Sequence, residues 1–146
     1  MNTKACQARP KILCVDDDPA ITMALCLRMA RYEVDVLIAA DGTDGMWIAL
    51  DEQPDVIITD LRMPNGDGEY LVECLRGHSD TGDIPVIALT GRRGSESERW
   101  MRTLGVRHYL HKPLKIEAIL SALEDYIELR LACDDAQALP VPCLPR

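Results

Sequence analysis

Apolar residues fall along the chain in short bursts separated by longer amphipathic stretches. The first burst, residues 11–15, is a strand whose carboxyl end delivers Asp16, Asp17 and Asp18. Pro19 then takes the first position of a helix, with Asp18 as its N-cap, and Ile21, Leu25 and Met29 recur at helical spacing up to Arg31. Residues 34–39 are a second strand closed by Asp41-Gly42; Thr43 or Asp44 opens a helix that turns Met46, Trp47 and Leu50 inward and stops at Pro54-Asp55. In the third burst, Val56, Ile57 and Ile58 form the apolar run of a strand buried on both faces. It ends on Asp60, and Pro64, Asn65 and Gly66 force a turn. Residues 69–76 read as a helix with Tyr70, Leu71, Cys74 and Leu75 on its apolar side, and 85–90 as strand four. A charged helix from Ser95 has Trp100, Met101 and Leu104 as apolar positions and ends at Gly105, a natural C-cap. Residues 106–111 are the last strand, and 115–132 the longest helix, with Ile116, Ile119, Leu120, Leu123, Ile127 and Leu131 at periods of three and four.

Five strands thus alternate with five helices over connections as short as parallel βαβ units allow. The expected fold is an α/β, doubly wound, five-stranded parallel sheet of the flavodoxin-like kind, order 2-1-3-4-5, with its switch point between strands one and three. Those strands end on Asp16-Asp17 and on Asp60. Residues 1–10 form a polar lead-in, 11–132 one domain, and 133–146, with three prolines in the last seven residues, a tail or linker.

Composition sharpens this picture at three points. Hydrophobic residues make up 47% but aromatics only 4%, with no Phe, so the core is built from Leu, Ile, Val, Ala and Met. The net charge of −8 opposes nonspecific binding to nucleic acid or to an anionic membrane and favours a protein or metal partner. The apolar runs are far shorter than a membrane span, and the N-terminus lacks the apolar stretch of a signal peptide, so a cytoplasmic protein is expected. The six cysteines show no metal-binding spacing, and reduced, mostly buried thiols are expected.

Three acids at adjacent strand ends repel one another unless something positive sits among them. A hard divalent cation with oxygen ligands resolves the conflict, and Mg²⁺ held by one or two carboxylates implies a phosphate as well. Strands four and five add a hydroxyl, Thr90, and a cation, Lys112, at the same edge. An acid, a metal cage, a hydroxyl and a lysine describe a phosphoryl-transfer site, where positioning and charge neutralisation dominate.

With these residues in view, the chain resembles a two-component response-regulator receiver domain of the CheY-like family from Lys11 to about Leu131. The resemblance rests on the acidic pair in Val15-Asp16-Asp17-Asp18-Pro19, Thr59-Asp60 followed by Met63-Pro64-Asn65-Gly66-Asp67-Gly68, Leu89-Thr90-Gly91, Tyr109, and Lys112-Pro113. It implies that Asp60 accepts a phosphoryl group from a histidine kinase or a histidine phosphotransfer protein, the chain catalysing only its own phosphorylation and dephosphorylation. Asp16, Asp17, Asp60 and the backbone carbonyl of Arg62 would bind Mg²⁺, and Thr90 and Lys112 would hold phosphoryl oxygens. Thr90 and Tyr109 would switch the face made by helix four, strand five and helix five toward a downstream protein. A homodimer through that face is a further implied assembly. The family also commonly carries a cis bond at the Lys-Pro step.

Arg62 and Arg92, each two residues past a site residue, occupy positions that tune phosphoryl lifetime in this family, and Leu114 stands where Phe is common. Asp18 and Asp67 are explained by capping and turn formation, the three histidines lack ligand spacing, and the two tryptophans are expected to pack. A haloacid-dehalogenase-like phosphatase also uses a strand-end Asp, Mg²⁺ and a lysine, but it needs a second acid where this chain has Arg62. A flavodoxin-like flavin binder is opposed by the acidic first loop, which would repel the phosphate. A receiver-like interaction module that works without phosphate is the remaining alternative, disfavoured because every phosphorylation residue is present.

Overall fold

A computed structural model describes residues 8–63, 67–91 and 96–132. Its elements run β1 (Lys11–Val15), α1 (Pro19–Met29), β2 (Asp35–Ala39), α2 (Gly42–Glu52), β3 (Val56–Asp60), α3 (Gly68–Gly77), β4 (Val86–Thr90), α4 (Glu96–Thr103), β5 (His108–His111) and α5 (Ile116–Glu124). All strand pairs are parallel, and the sheet order is β2-β1-β3-β4-β5, as the alternation of elements required.

The three central strands are continuous apolar runs because both sheet faces are covered. Successive side chains enter opposite cores: Leu13, Val15 and Ile57 join Leu71, Leu75 and Met101 on one side, while Ile12, Cys14, Val56 and Ile58 join Leu25, Met29, Ile119 and Leu123 on the other. Aliphatic residues and methionine fill both cores, as the lack of Phe demanded. Cys14 is buried, Cys26 and Cys74 are half-buried, and none of these three is in a disulfide.

Several boundaries and orientations differ from expectation. α5 ends at Glu124, not at 132. Asp125 and Tyr126 donate their amides to Ala122 and Leu123, tightening the last turn, and His108 bonds both the Tyr126 hydroxyl and the Asp125 carboxylate at 2.8 Å. The chain then extends, and Leu131 forms an antiparallel bridge with Tyr32 just past α1. Leu131 is 70% exposed, so its helical spacing from Ile127 carries no burial.

Trp47, expected inward, is 69% exposed. α2 faces the sheet through Gly42, Gly45 and Ala49, and Trp47 lies about 200° round the helix from Gly45. A β-carbon at Gly45 would stand 3.1 Å from Val15, so close approach to the sheet selects the small residues for the inner face. Tyr70 and Trp100 are likewise about half exposed, the indole of Trp100 donating to Glu73 at 2.7 Å. α1 stops at Met29, β2 begins at Asp35 and β5 at His108, each slightly inside its expected range. β4 begins at Val86; Pro85, which has no N–H, accepts from Ile57 instead. α2 ends on Gln53, a left-handed residue (φ 48°) whose side-chain amide donates back to Ala49 and Leu50.

Candidate functional site

Asp16 and Asp60 emerge side by side because β1 and β3 pair in register, Val15 opposite Thr59. The amide of Asp16 donates to Ala39 at 3.1 Å, continuing the β1–β2 ladder one step past the strand. Its Oδ1 accepts from the Asp18 amide at 2.9 Å, while Asp18 caps α1 by accepting from Ala20 at 2.9 Å. Asp18 is thereby a capping residue, as expected, while Asp67, expected to shape the turn, caps α3 by accepting from the Tyr70 amide.

Asp60 is held from both sides. Its Oδ1 accepts from the Arg62 amide at 3.2 Å, and its Oδ2 accepts from the Lys112 ammonium at 2.9 Å. The Thr59 hydroxyl donates to the Asp60 carbonyl at 2.9 Å. That positioning role is invisible in the sequence, where a β-branched Thr reads simply as strand. Gly68 packs against the same carbonyl so tightly that a β-carbon there would overlap the Asp60 backbone. The first turn of α3 is therefore seated directly on the strand end.

Lys112 reaches the acids because its amide donates to the Thr90 carbonyl at 2.9 Å, extending the β4–β5 pairing past Thr90 and His111. The Lys112–Pro113 bond is cis, as the resemblance implied. Thr90 is buried at the end of β4, in the same row of strand ends.

Asp16, Asp17 and Asp60 offer carboxylate oxygens that all lie within 4.8 Å of one another. Asp16 and Asp60 are buried and Asp17 is exposed. Asp16 Oδ2 is sealed from solvent with no hydrogen-bond partner; its nearest cation, Lys112, lies 3.7 Å away, beyond hydrogen-bond reach. Burial raises the Asp16 pKa, and Asp60 and Asp17 add to the effect, against the Asp18 amide and Lys112. For Lys112 burial favours the neutral amine, but the bond to Asp60 and the fields of Asp16, Asp60 and Asp17 together raise its pKa. An all-oxygen donor set with one orphaned buried oxygen fits a hard divalent cation.

Tyr109, half-buried on β5, is tied to α4. Its hydroxyl donates to the Glu98 carbonyl at 3.0 Å, and the Arg102 guanidinium lies 5.7 Å from its ring centre. Burial pushes the phenol up to about 12, with Arg102 opposing and Glu98 assisting. Arg62 is exposed, and its charge lowers the Glu69 pKa against the stronger upward effect of burial. Arg92, like the turn at Pro64, Asn65 and Gly66, lies outside the described residues.

The family model of the response regulator receiver domain matches residues 12–124, most of the chain. This chain belongs to that family. It is 40% identical over 114 residues to the DNA-binding dual master transcriptional regulator RpaA of Synechocystis sp., a match covering 77% of this chain and 46% of that protein. It is 34% identical to protein PilH of Pseudomonas aeruginosa, over 77% of this chain and 93% of that one. The receiver family thus occurs both as part of a longer regulator and as nearly a whole protein, and this chain spans under half of RpaA. Among solved structures, the chemotaxis protein CheY4 of Vibrio cholerae superposes with a TM-score of 0.74 at 30% identity, covering 82% of this chain and all of that one. Among the described residues, no helix is long and apolar enough to cross a membrane.

Proposed function

We propose that this receiver domain accepts a phosphoryl group on Asp60 from a histidine kinase or a histidine phosphotransfer protein, and that the aspartyl phosphate resets the α4–β5–α5 face for a downstream protein. The observation that supports it most is the shared geometry of Asp60, Lys112 and Asp16: a nucleophilic carboxylate gripped by a cation at 2.9 Å, beside a buried acid with an unpartnered oxygen.

In this reading an Asp60 carboxylate oxygen attacks phosphorus, the P–O bond forms, and the P–N bond to the donor imidazole breaks, the electron pair leaving with the ring nitrogen. The arrangement of Asp60 before reaction is set by the Arg62 amide, by Thr59 and by the seat of Gly68. Lys112, already on Asp60 Oδ2, passes to a phosphoryl oxygen as negative charge moves outward. Thr90 supplies a hydroxyl to a second oxygen. Asp16, Asp17, Asp60 and the Arg62 carbonyl would hold Mg²⁺, which when bound neutralises charge on the acids and the phosphoryl group. Tyr109 serves as the readout, because its bond to the Glu98 carbonyl couples β5 to α4 and gives the face a contact to break and remake.

Incubation with acetyl phosphate or phosphoramidate and Mg²⁺, followed by intact-mass measurement, tests the proposal. One phosphoryl group is expected on the wild type and none on Asp60→Asn. Undiminished labelling of the variant would overturn the assignment.

A further inference from the structure

An apolar groove of about 720 Å³ runs between α1 and α5 on the sheet face away from α2, α3 and α4. Ala24 and Leu27 form its α1 wall, Leu114, Ile116 and Ile119 the opposite one. Leu27 is 57% exposed, an aliphatic side chain offered to solvent beside this bed. Pro113 and Lys112 stand at the end nearest the acidic site, and Arg28 and Arg31 line the groove toward the C-terminal end of α1.

The chain itself is delivered to that arginine end. After α5 it runs antiparallel to residues 31–33: Glu33 donates to Arg130 at 2.8 Å, Leu131 bridges Tyr32, and Ala132 donates to the Arg31 carbonyl at 2.8 Å. The last described residue is therefore hydrogen-bonded to a residue of the groove lining, and its direction is toward α1. The sequence that continues from it carries Asp134 and Asp135 first and then Leu139-Pro140-Val141-Pro142. Acids followed by apolar residues repeat the order of the groove, which presents Arg31 and Arg28 and then an aliphatic bed.

The lengths also agree. From Arg28 back to Ala20 the helix rises about 12 Å at 1.5 Å per residue, and Arg31 lies just beyond its end. The seven residues 133–139 can span at most about 23 Å, enough to carry Leu139 from the arginine end to the far end.

We infer that the segment 133–146 docks back into the α1/α5 groove of its own chain, with Asp134 and Asp135 against Arg31 and Arg28 and with Leu139 and Val141 in the apolar bed. A segment so placed covers Leu27 and rests on Pro113 and Leu114, immediately after the lysine that grips Asp60. It shields this face from other proteins and links its own occupancy to the position of Lys112. The inference stands independently of phosphorylation.

Methyl-labelled full-length protein tests it by nuclear Overhauser contacts. The expected result is cross-peaks from the Leu139 and Val141 methyls to those of Ala24, Leu27 and Leu114, unchanged on dilution and absent between differently labelled molecules in a mixed sample. The double variant Arg28→Glu, Arg31→Glu should lose them, and adding Asp134→Arg with Asp135→Arg should bring them back. Lack of these contacts in the wild type would overturn the inference, as would contacts seen only between molecules, which would make a second copy the occupant. Contacts indifferent to charge reversal would overturn the pairing of the acids with the arginines.

Discussion

The Lys112 ammonium lies 2.9 Å from Asp60 Oδ2, although 52 residues separate the two in sequence. Parallel pairing of β3 with β4 and of β4 with β5 brings their carboxyl ends into one row, and the Lys112–Thr90 backbone bond extends that row to the lysine. The pair is only partly screened, with the lysine side chain 30% and the aspartate side chain 11% exposed. Removing the lysine leaves two clustered acids without their cation, so Lys112→Ala should cost about 1–2 kcal/mol in metal-free buffer, below the cost of breaking a fully buried pair. Labelling by acetyl phosphate should fall at least roughly tenfold, consistent with loss of one charge-stabilising group. Denaturant melts and intact-mass kinetics measure the two effects. The raised folded pKa of Lys112 means that its stabilisation is complete below the ordinary lysine value of 10.5 and is lost as pH rises through the folded value.

Asp16 has the opposite sign. Burial raises its pKa in the fold, so the native state binds a proton more tightly than the unfolded chain does, and stability falls as pH rises from 3.8 through the folded value. Above that window the buried, unpartnered Oδ2 is a standing cost. Asp16→Asn should therefore stabilise the metal-free protein at neutral pH by about 1–3 kcal/mol, the usual penalty of an unsatisfied buried polar group, and the gain should shrink as pH falls toward 3.8. The same change should blunt the stabilisation by Mg²⁺, which for the wild type amounts to about 2.7 kcal/mol at a hundredfold excess over the dissociation constant. Melting curves with and without Mg²⁺ at several pH values check both signs.

The sheet order and the gathering of Asp16, Asp17, Asp60 and Lys112, with Thr90 at a strand end in the same row, were legible in the sequence because short apolar runs ending in polar residues define parallel strands. Such strands align their ends once the crossover rule is applied. Less legible was whatever depended on tertiary competition. The periodicity through Ile127 and Leu131 argued for a long α5, but His108 and the backbone past α1 drew residues 125–132 into other bonds. Trp47 looked like core by residue type; the inner face went instead to Gly42, Gly45 and Ala49, since only small side chains let α2 approach β1 closely. Thr59 and Gly68 act on the Asp60 carbonyl, a backbone atom, and nothing in a one-dimensional pattern marks that contact.

Gly68 is consequently a sensitive position although it carries no chemistry. A β-carbon there would overlap the Asp60 carbonyl and stand 2.9 Å from the Leu61 α-carbon, and both obstacles are backbone. α3 must lift off the strand end or β3 must shift. Gly68→Ala should destabilise the protein by about 1–3 kcal/mol, the range for overpacking, and should slow phosphorylation even at temperatures where the variant is fully folded. An initial labelling rate equal to that of the wild type would show that the seat of α3 does not position Asp60.

Arg62 bears on how long the aspartyl phosphate would survive. Its amide donates to Asp60 Oδ1 at 3.2 Å, so its side chain starts beside the carboxylate, and that side chain is exposed. The surroundings are acidic: Asp67 and Glu69 share with Arg62 the concavity between the end of β3 and the start of α3. The guanidinium lowers the Glu69 pKa, which places its charge on this side of the site. A guanidinium has donors but no acceptor, so it cannot orient a water molecule for attack on phosphorus; what it can offer at the rim of the site is bulk. It could instead stabilise the charge developing in the hydrolytic transition state, which would shorten the lifetime. The acids beside it tilt the balance toward occlusion, because their negative charge offsets the field that the guanidinium would direct at the phosphoryl oxygens. Arg62→Ala should then lose its label roughly threefold to tenfold faster than the wild type. Arg62→Gln, which keeps much of the bulk and removes the charge, should decay near the wild-type rate. Faster decay in the glutamine variant than in the alanine variant would show that the amide orients the attacking water, and equal decay in all three proteins would show that Arg62 has no part in the lifetime.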